Sequence, residues 1–583
     1  MRYKLKWIIL FFLLLLTIVA AYQMYALAAR QALWGYWPLL FIAGLWGCVV
    51  CLWFRRAEQD QLLGWATLSG TLAAFGFPGW LPLPLLMAVA FVPLLYMEQQ
   101  IASAHSRPRR GLVFKYSFHA FVLWNIGSGW WIANASIAAG MFAIFANAAL
   151  MSLPVVLYHQ TRRVMPRLGF APLIAYWMSF EYLHFHWELN YPWLTLGNSL
   201  AQLPALAQWY EYTGVFGGTL WLWLLNITAF SLCRQPSRST RLQFGTCLLA
   251  PIALSLVLYA IRQDVGRPVR VVLVQPNYEP HYEEPATTEA SRLQHYWQLA
   301  QPLLDDSTDY LVLPEAALEH ANTRELDAAP SIVRLRELTK PYPNLKVISG
   351  LMAYHVFAAD EPHTAATRVS TTRSGTMIAY EGLNAAVQFS NSSPDMPLHR
   401  KSKLVPGPEH FPFKKWLFFV EPIMDRLGGT TAGLGTQPRP SIFQSAVGRI
   451  GPLICYESVF GEYVSSSVRQ GAEAFFVMTN DGWWDHTAGH RQHLFFASLR
   501  AIENRRSVAR AANTGITAVI NQRGDILQAT RYNEATAIRA TLLLNNQPTF
   551  YTRWGDMLAR LSLFATALFL LNTFVRSITL QKP

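Results

Sequence analysis

The first 263 residues are a succession of closely spaced apolar runs, and this constrains the fold more than any other feature of the chain. A helix needs ~20 residues to cross the hydrocarbon core of a bilayer. Only helices and closed barrels satisfy their own backbone there. Spans are expected near 7–28, 33–54, 62–76, 80–97, 111–130, 136–157, 168–187, 216–233 and 244–262, with a tenth near 556–575. The third and fourth are short and meet at Phe77-Pro78-Gly79-Trp80, where a tight helical hairpin is expected. The first follows Arg2, Lys4 and Lys6 as a signal peptide would. A second apolar run follows at once with no small-residue cleavage signal, so it reads as a retained helix.

Charge agrees with this frame. Asp, Glu, Lys and Arg make up 14% of the chain and hydrophobic residues 52%, against ~25% charged in ordinary soluble domains. The net charge of +13 is no nucleic-acid footprint. Residues 1–263 hold only Glu58, Asp60, Glu98, Glu181, Glu188 and Glu211 as acids, and their basic residues cluster between apolar runs. With a cytoplasmic N-terminus, Arg55–Arg56, Arg107–Arg110, Arg162–Arg167 and Arg234–Arg241 all fall inside. Nine crossings then put the polar half outside. The expectation is a bacterial inner-membrane protein with a membrane domain over 1–263, a periplasmic domain over 264–550, and a last span and cytoplasmic tail over 551–583.

The polar half alternates β-rich runs (269–275, 310–314, 346–354, 375–380, 450–455, 475–479, 516–520) with helical stretches (287–304, 330–340, 457–470, 491–506). This is the pattern of one α/β domain with covered sheets. It contains neither a dinucleotide fingerprint nor a phosphate-binding loop. Cys455 is its only cysteine. Without a partner it is a free thiol, either a buried core residue or a nucleophile. Glu315, Lys401 and Cys455 each stand at a strand end. A carboxylate, an ammonium and a thiol suffice for covalent acyl transfer, although spacing alone does not bring them together.

Several ordered motifs resemble those of the apolipoprotein N-acyltransferase family, membrane-embedded members of the nitrilase-like superfamily. In the polar half they are Leu313-Pro314-Glu315-Ala316; Lys401 leading into Leu404-Val405-Pro406 and Glu409; Ile454-Cys455-Tyr456-Glu457; Thr479-Asn480-Asp481-Gly482-Trp483; Arg500-Ala501-Ile502-Glu503; and Asn513-Thr514-Gly515-Ile516. Tyr191-Pro192-Trp193 and Gly197 match in the membrane half. The resemblance implies a helical membrane domain joined to a nitrilase-like αββα sandwich carrying a Glu315-Lys401-Cys455 triad. Glu409 then supports the site, and Tyr456 and Glu457 flank the nucleophile. It further implies ping-pong transfer of an acyl chain from a phospholipid, phosphatidylethanolamine, to the α-amine of a diacylglyceryl-modified apolipoprotein. No metal or cofactor enters, and the protein is expected to be a monomer. The alternative is a membrane-tethered amidohydrolase that gives its thioester to water. Three departures from the family pattern stand out. Gly407-Pro408 precedes Glu409 where Phe-Gly is commoner, Lys403 replaces a common histidine, and the first two spans have no counterpart in the usual eight-span form. Those two spans are expected to serve insertion or stability and to leave the catalytic frame untouched.

Other residues invite weaker readings. Glu181 is an acid within a span and so a candidate for facing substrate. Trp193 lies near it in an interfacial aromatic cluster. Trp483 and Trp484 are core residues or a lipid-facing lid. Trp416, Phe418 and Phe419, with Lys414 and Lys415, suggest a membrane-dipping arm. His486, His490 and His493 have zinc-like spacing, but glycines in the stretch favour a loop and a structural role for His493. Arg500 and Glu503 suit an ion pair, and Arg505 and Arg506 a helix end.

Overall fold

The computed structural model describes residues 2–54, 60–79, 81, 83–104, 109–371, 375–417 and 432–579. The N-terminal half is helical. Its helices are α1 (Arg2–Ala29), α2 (Trp37–Trp53), α3 (Asp60–Gly76), α4 (Val92–Ala104), α5 (Arg110–Gly129), α6 (Ile132–Ala135), α7 (Ile137–Val164), α8 (Ala171–His184), α9 (Tyr210–Thr213), α10 (Val215–Arg234) and α11 (Arg238–Ile261). Among the described residues, six helical segments are long and apolar enough to cross a membrane, the last being Met557–Thr579 near the C-terminus. Helices α2, α3 and α8 are shorter, at 17, 17 and 14 residues. The interior of the bundle is aromatic: Trp124, Trp177 and Trp223 are fully buried and pack on one another. The outer surfaces of α1 and α11 are apolar and bare, as lipid-facing surfaces are.

Two sheets follow. The first runs β14-β1-β2-β4-β6-β5 from edge to edge, with β3 on β4 and β7 on β6. Its strands are β1 (Arg267–Gln275), β2 (Tyr310–Val312), β3 (Leu318–Asn322), β4 (Lys346–Val356), β5 (Arg368–Thr371), β6 (Met377–Ser390), β7 (Leu398–Arg400) and β14 (Thr536–Leu544). The second runs β13-β12-β11-β10-β9-β8, using β8 (Phe443–Gln444), β9 (Arg449–Ile454), β10 (Ala474–Thr479), β11 (Val508–Ala512), β12 (Ala518–Ile520) and β13 (Ile526–Ala529). The central pairs β1/β2, β2/β4, β9/β10 and β10/β11 are parallel.

Successive residues of a strand face opposite sides, and β1 uses both. Val269, Val271 and Leu273 pack against Ile450, Ile454 and Phe476 of the other sheet. Val272 and Val274 pack under helices α12 (Glu289–Ala300) and α13 (Pro330–Leu338). Beyond the second sheet, Leu453, Phe475 and Val477 meet Val464 of α14 (Gly461–Arg469) and Leu494 of α15 (Ala488–Asn504). The result is helix, sheet, sheet, helix. Each fully buried Val or Leu contributes ~1.5–3 kcal/mol, which is why these strands are apolar on both faces.

The bundle and sandwich interlock through α15. Gln492 donates to Pro78 O (2.6 Å) and Ser128 O (3.1 Å), and accepts from Trp193 Nε1 (2.7 Å) and Trp131 Nε1 (3.1 Å). Arg505, the left-handed cap of α15, pairs with Glu211 at 2.6 Å and donates to Gln208 Oε1 at 2.7 Å. It therefore does more than end a helix, as does Arg506, which donates to the carbonyls of Ala472 and Gln547. The expected Arg500–Glu503 pair forms at 2.7 Å and is fully buried.

Candidate active site

Glu315 lies three residues beyond Val312, the last residue of parallel β2. Its Oε1 accepts from Lys401 Nζ (3.0 Å) and Asn384 Nδ2 (2.8 Å), and its Oε2 accepts from the backbone N–H of Asn480 (3.1 Å). Lys401 follows β7 directly and is 1% exposed. It also donates to Glu409 Oε1 at 2.7 Å. Glu409 is fixed in turn by Asn384 Nδ2 (3.1 Å) and Val405 N (2.8 Å). The Gly407-Pro408 substitution in this loop thus leaves Glu409 directed at Lys401.

Cys455 begins the turn after β9 with φ +48°, a left-handed conformation rare for a residue with a side chain. Such strain persists only where the surroundings impose it. Here Glu457, fully buried, imposes it. Its carboxylate accepts from Ile454 N (2.9 Å), Ser402 N (2.7 Å) and Tyr463 Oη (2.7 Å), and lies 2.9 Å from His399 Nε2. One carboxylate thereby ties the turn that carries Cys455 to the residue after Lys401. On the other side His493 Nε2 lies 3.1 Å from Cys455 O and 2.9 Å from Ser458 Oγ. His493 Nδ1 faces Asp481 at 2.9 Å, and Asp481 pairs with buried Arg510. His493 is thus a structural partner on α15, and among the described residues no cluster suits a metal.

Electrostatics distinguish the members. Burial raises the Cys455 thiol, the Glu315 carboxylate raises it further, and the Lys401 ammonium only partly opposes them. The resting group is a thiol. Burial disfavours charge on Lys401, but Glu315 and then Glu409 outweigh it and hold its pKa well above the ordinary value. A neutral thiol, a carboxylate able to take its proton and a fixed cation can together form and stabilise a tetrahedral adduct.

The other candidates separate. Tyr456 donates from its hydroxyl to Asn190 O (3.0 Å) in the membrane half and packs on Phe460. Glu181 is 3% exposed. It is enclosed, with its carboxylate accepting from Trp177 Nε1 (2.8 Å), Leu196 N (2.8 Å) and Thr219 Oγ1 (2.7 Å). It anchors the irregular segment after α8, because a buried carboxylate must be satisfied. Trp193 is buried against Trp131, Trp484, His493 and Phe496 instead of lying in an interfacial belt. Trp484 joins that cluster. Trp483 is exposed beside His281, and Trp416 is 80% exposed. Phe418 and Phe419 lie outside the described residues. The residues with no assigned role in the sequence reading are Asn384, His399 and Gln492. Each is a polar hub whose partners are distant in sequence, so no local pattern marks it.

A strand-end cysteine under the electrostatic influence of a glutamate–lysine pair, within an αββα sandwich, suits a carbon–nitrogen hydrolase type of domain, and residues 270–546 match the family model described as Carbon-nitrogen hydrolase. Residues 69–228 match a second, the Apolipoprotein N-acyltransferase N-terminal domain. The chain is 28% identical over 530 residues to the "Apolipoprotein N-acyltransferase" of Chlorobaculum tepidum, spanning 87% of this chain and 96% of that one. It is 27% identical over 526 residues to the protein of the same name in Geobacter metallireducens, spanning 86% and 93%. Among solved structures, Saccharomyces cerevisiae Nit3, a member of branch 10 of the nitrilase superfamily, aligns with 48% of this chain and 92% of its own at 16% identity and a TM-score of 0.34. With both halves matched in order, the chain is similar along most of its length to apolipoprotein N-acyltransferases.

Proposed function

We propose that the protein N-acylates lipoproteins by a ping-pong mechanism through a thioester on Cys455. The donor is a membrane phospholipid, phosphatidylethanolamine in this reading. The acceptor is the α-amine of a diacylglyceryl-modified N-terminal cysteine. The Cys455 S–H proton passes to Glu315 as sulfur bonds to the ester carbonyl carbon. Lys401 and the backbone N–H of Tyr456 stabilise the oxyanion. The C–O bond breaks, Glu315 returns the proton to the departing alkoxide, and a lysophospholipid leaves. The acceptor amine then attacks the thioester, giving its proton to Glu315. The C–S bond breaks to leave an amide, and the thiolate regains its proton from Glu315.

The observation that carries this reading is the bridging of Glu315 and Glu409 by buried Lys401 beside a thiol whose ionisation both Glu315 and Lys401 control. Fusion to a bundle with lipid-facing helices fits two lipid-anchored substrates. The same reading places the domain in the periplasm of a bacterial inner membrane and treats the protein as a monomer. Incubation with phospholipid labelled in its acyl chain, with and without a diacylated lipopeptide, tests it. Label should move to the lipopeptide amine, and Cys455→Ser should abolish the transfer. Release of labelled fatty acid to water at the same rate with and without lipopeptide would instead identify a hydrolase.

A further inference from the structure

The helical family model begins at residue 69, so α1 and α2 precede the matched segment. The turn joining them nevertheless reaches the sandwich. Gly35 N–H donates to Asp485 Oδ2 at 2.9 Å. Asn134, on α6, donates to both Gly35 O and Trp484 O at 3.2 Å. Tyr36 packs on buried Trp130, with ring centroids 5.1 Å apart. Gly35 has φ +57° and open space where a Cβ would lie, so backbone conformation selects glycine here.

Asp485 itself has φ +56° and is buried. A glycine would hold that conformation without strain. An aspartate there supplies what glycine lacks, a carboxylate that accepts from Gly35 N and from His486 N (2.5 Å). From Asp485 the path to the site is continuous. Asp485 N donates to Gly482 O (3.1 Å), and Gly482 N to Asn480 Oδ1 (3.2 Å). Asn480 N donates to Glu315 Oε2 (3.1 Å).

We infer that the α1–α2 hairpin is a positioning element for the catalytic glutamate: its tip latches the 480–485 loop through Gly35 and Asp485, and that loop holds the second carboxylate oxygen of Glu315. Asp485 is a positioning residue and touches no reacting atom. The inference rests on the proposed role of Glu315 as the base. It departs from the expectation that the first two spans leave the catalytic frame untouched, because a base displaced by ~1 Å loses ~10²-fold in rate.

The test uses purified full-length protein, Asp485→Ala, Asp485→Asn, and a chain lacking residues 1–58 behind a new start and basic cap. Two quantities are read: amide hydrogen exchange over 480–487, and the rate of thioester formation per folded molecule with phosphatidylethanolamine. Asp485→Ala and the deletion should each speed exchange in the loop and slow thioester formation by about tenfold or more. Combining them should be no worse than either alone, since both cut one connection. Asp485→Asn should fall between wild type and Asp485→Ala, because its one amide oxygen can still accept from Gly35 while its NH2 then faces the His486 N–H. Wild-type exchange and rate in folded Asp485→Ala would overturn the latch, as would independent, multiplicative losses in the combination. If the deletion fails to insert, the two full-length substitutions decide. Absence of a thioester in wild type would defeat the proposed reaction instead, while the exchange data would still report on the latch.

Discussion

Cys455 feels a carboxylate, Glu315, that raises its proton affinity and an ammonium, Lys401, that lowers it. Substitutions therefore separate charge from catalysis. Glu315→Gln removes the anion and leaves Lys401 beside the thiol, so the pH for half-maximal alkylation by iodoacetamide should fall below that of wild type. Acyl transfer should be lost in the same protein, because no base remains. Alkylation unchanged in pH dependence would show that Glu315 does not act on the thiol. Lys401→Met deletes the cation between Glu315 and Glu409. Breaking a buried pair costs ~3–5 kcal/mol, so the melting midpoint in detergent should drop. Losing an oxyanion donor costs ~10²–10³ in rate, so thioester formation in the folded fraction should drop as well. A lower midpoint with a near-normal rate would confine Lys401 to structure.

The turns that carry the site depend on buried carboxylates, and this sets the acid sensitivity of the sandwich. Burial works to raise Asp481, but Arg510 and then His493 outweigh it and hold the carboxyl below its ordinary range. A depressed carboxylate contributes stability that is complete above its unfolded value near ~3.9 and is lost as pH falls through its folded value. Asp481→Asn should therefore lower the melting midpoint at pH 7, by the ~3–5 kcal/mol of an orphaned buried charge. The gap from wild type should narrow toward pH 3. An equal midpoint at pH 7 would remove Asp481 from the support of the α15–β10 junction. Much of this element level was legible. The strands β1, β4, β9 and β10 and the helices α12, α13 and α15 announce themselves by apolar runs and amphipathic spacing. The edge strands β3, β5, β7, β8 and β13 are too short or too polar to do so. Strand β11 carries no sequence expectation, and its inward Arg510 looks misplaced until Asp481 is seen opposite. Glu315, Lys401 and Cys455, which the structure groups around one buried ion pair, stand out in the sequence as strand ends and family motifs. The hubs Asn384 and Gln492 do not, since their meaning lies in partners far along the chain.

At the scale of the molecule, the basic residues Arg110, Arg162, Arg163, Arg234, Arg238 and Arg576 cap the helix ends remote from the sheets. The α1–α2 turn, α6, Asn190 and Glu211 meet the sandwich at the opposite end. The positive-inside rule predicts that the basic end is cytoplasmic. Protease added to intact spheroplasts should then cut residues 264–550; protection until lysis, in a domain cleavable in detergent, would reverse the orientation. Sidedness places the chemistry, but the claim everything else depends on is the covalent intermediate. Purified full-length protein exposed to phosphatidylethanolamine without acceptor should gain the mass of one acyl chain. The adduct should map to Cys455 and disappear when a diacylated lipopeptide is added. An unchanged mass, or an adduct that persists in Cys455→Ala, would contradict it.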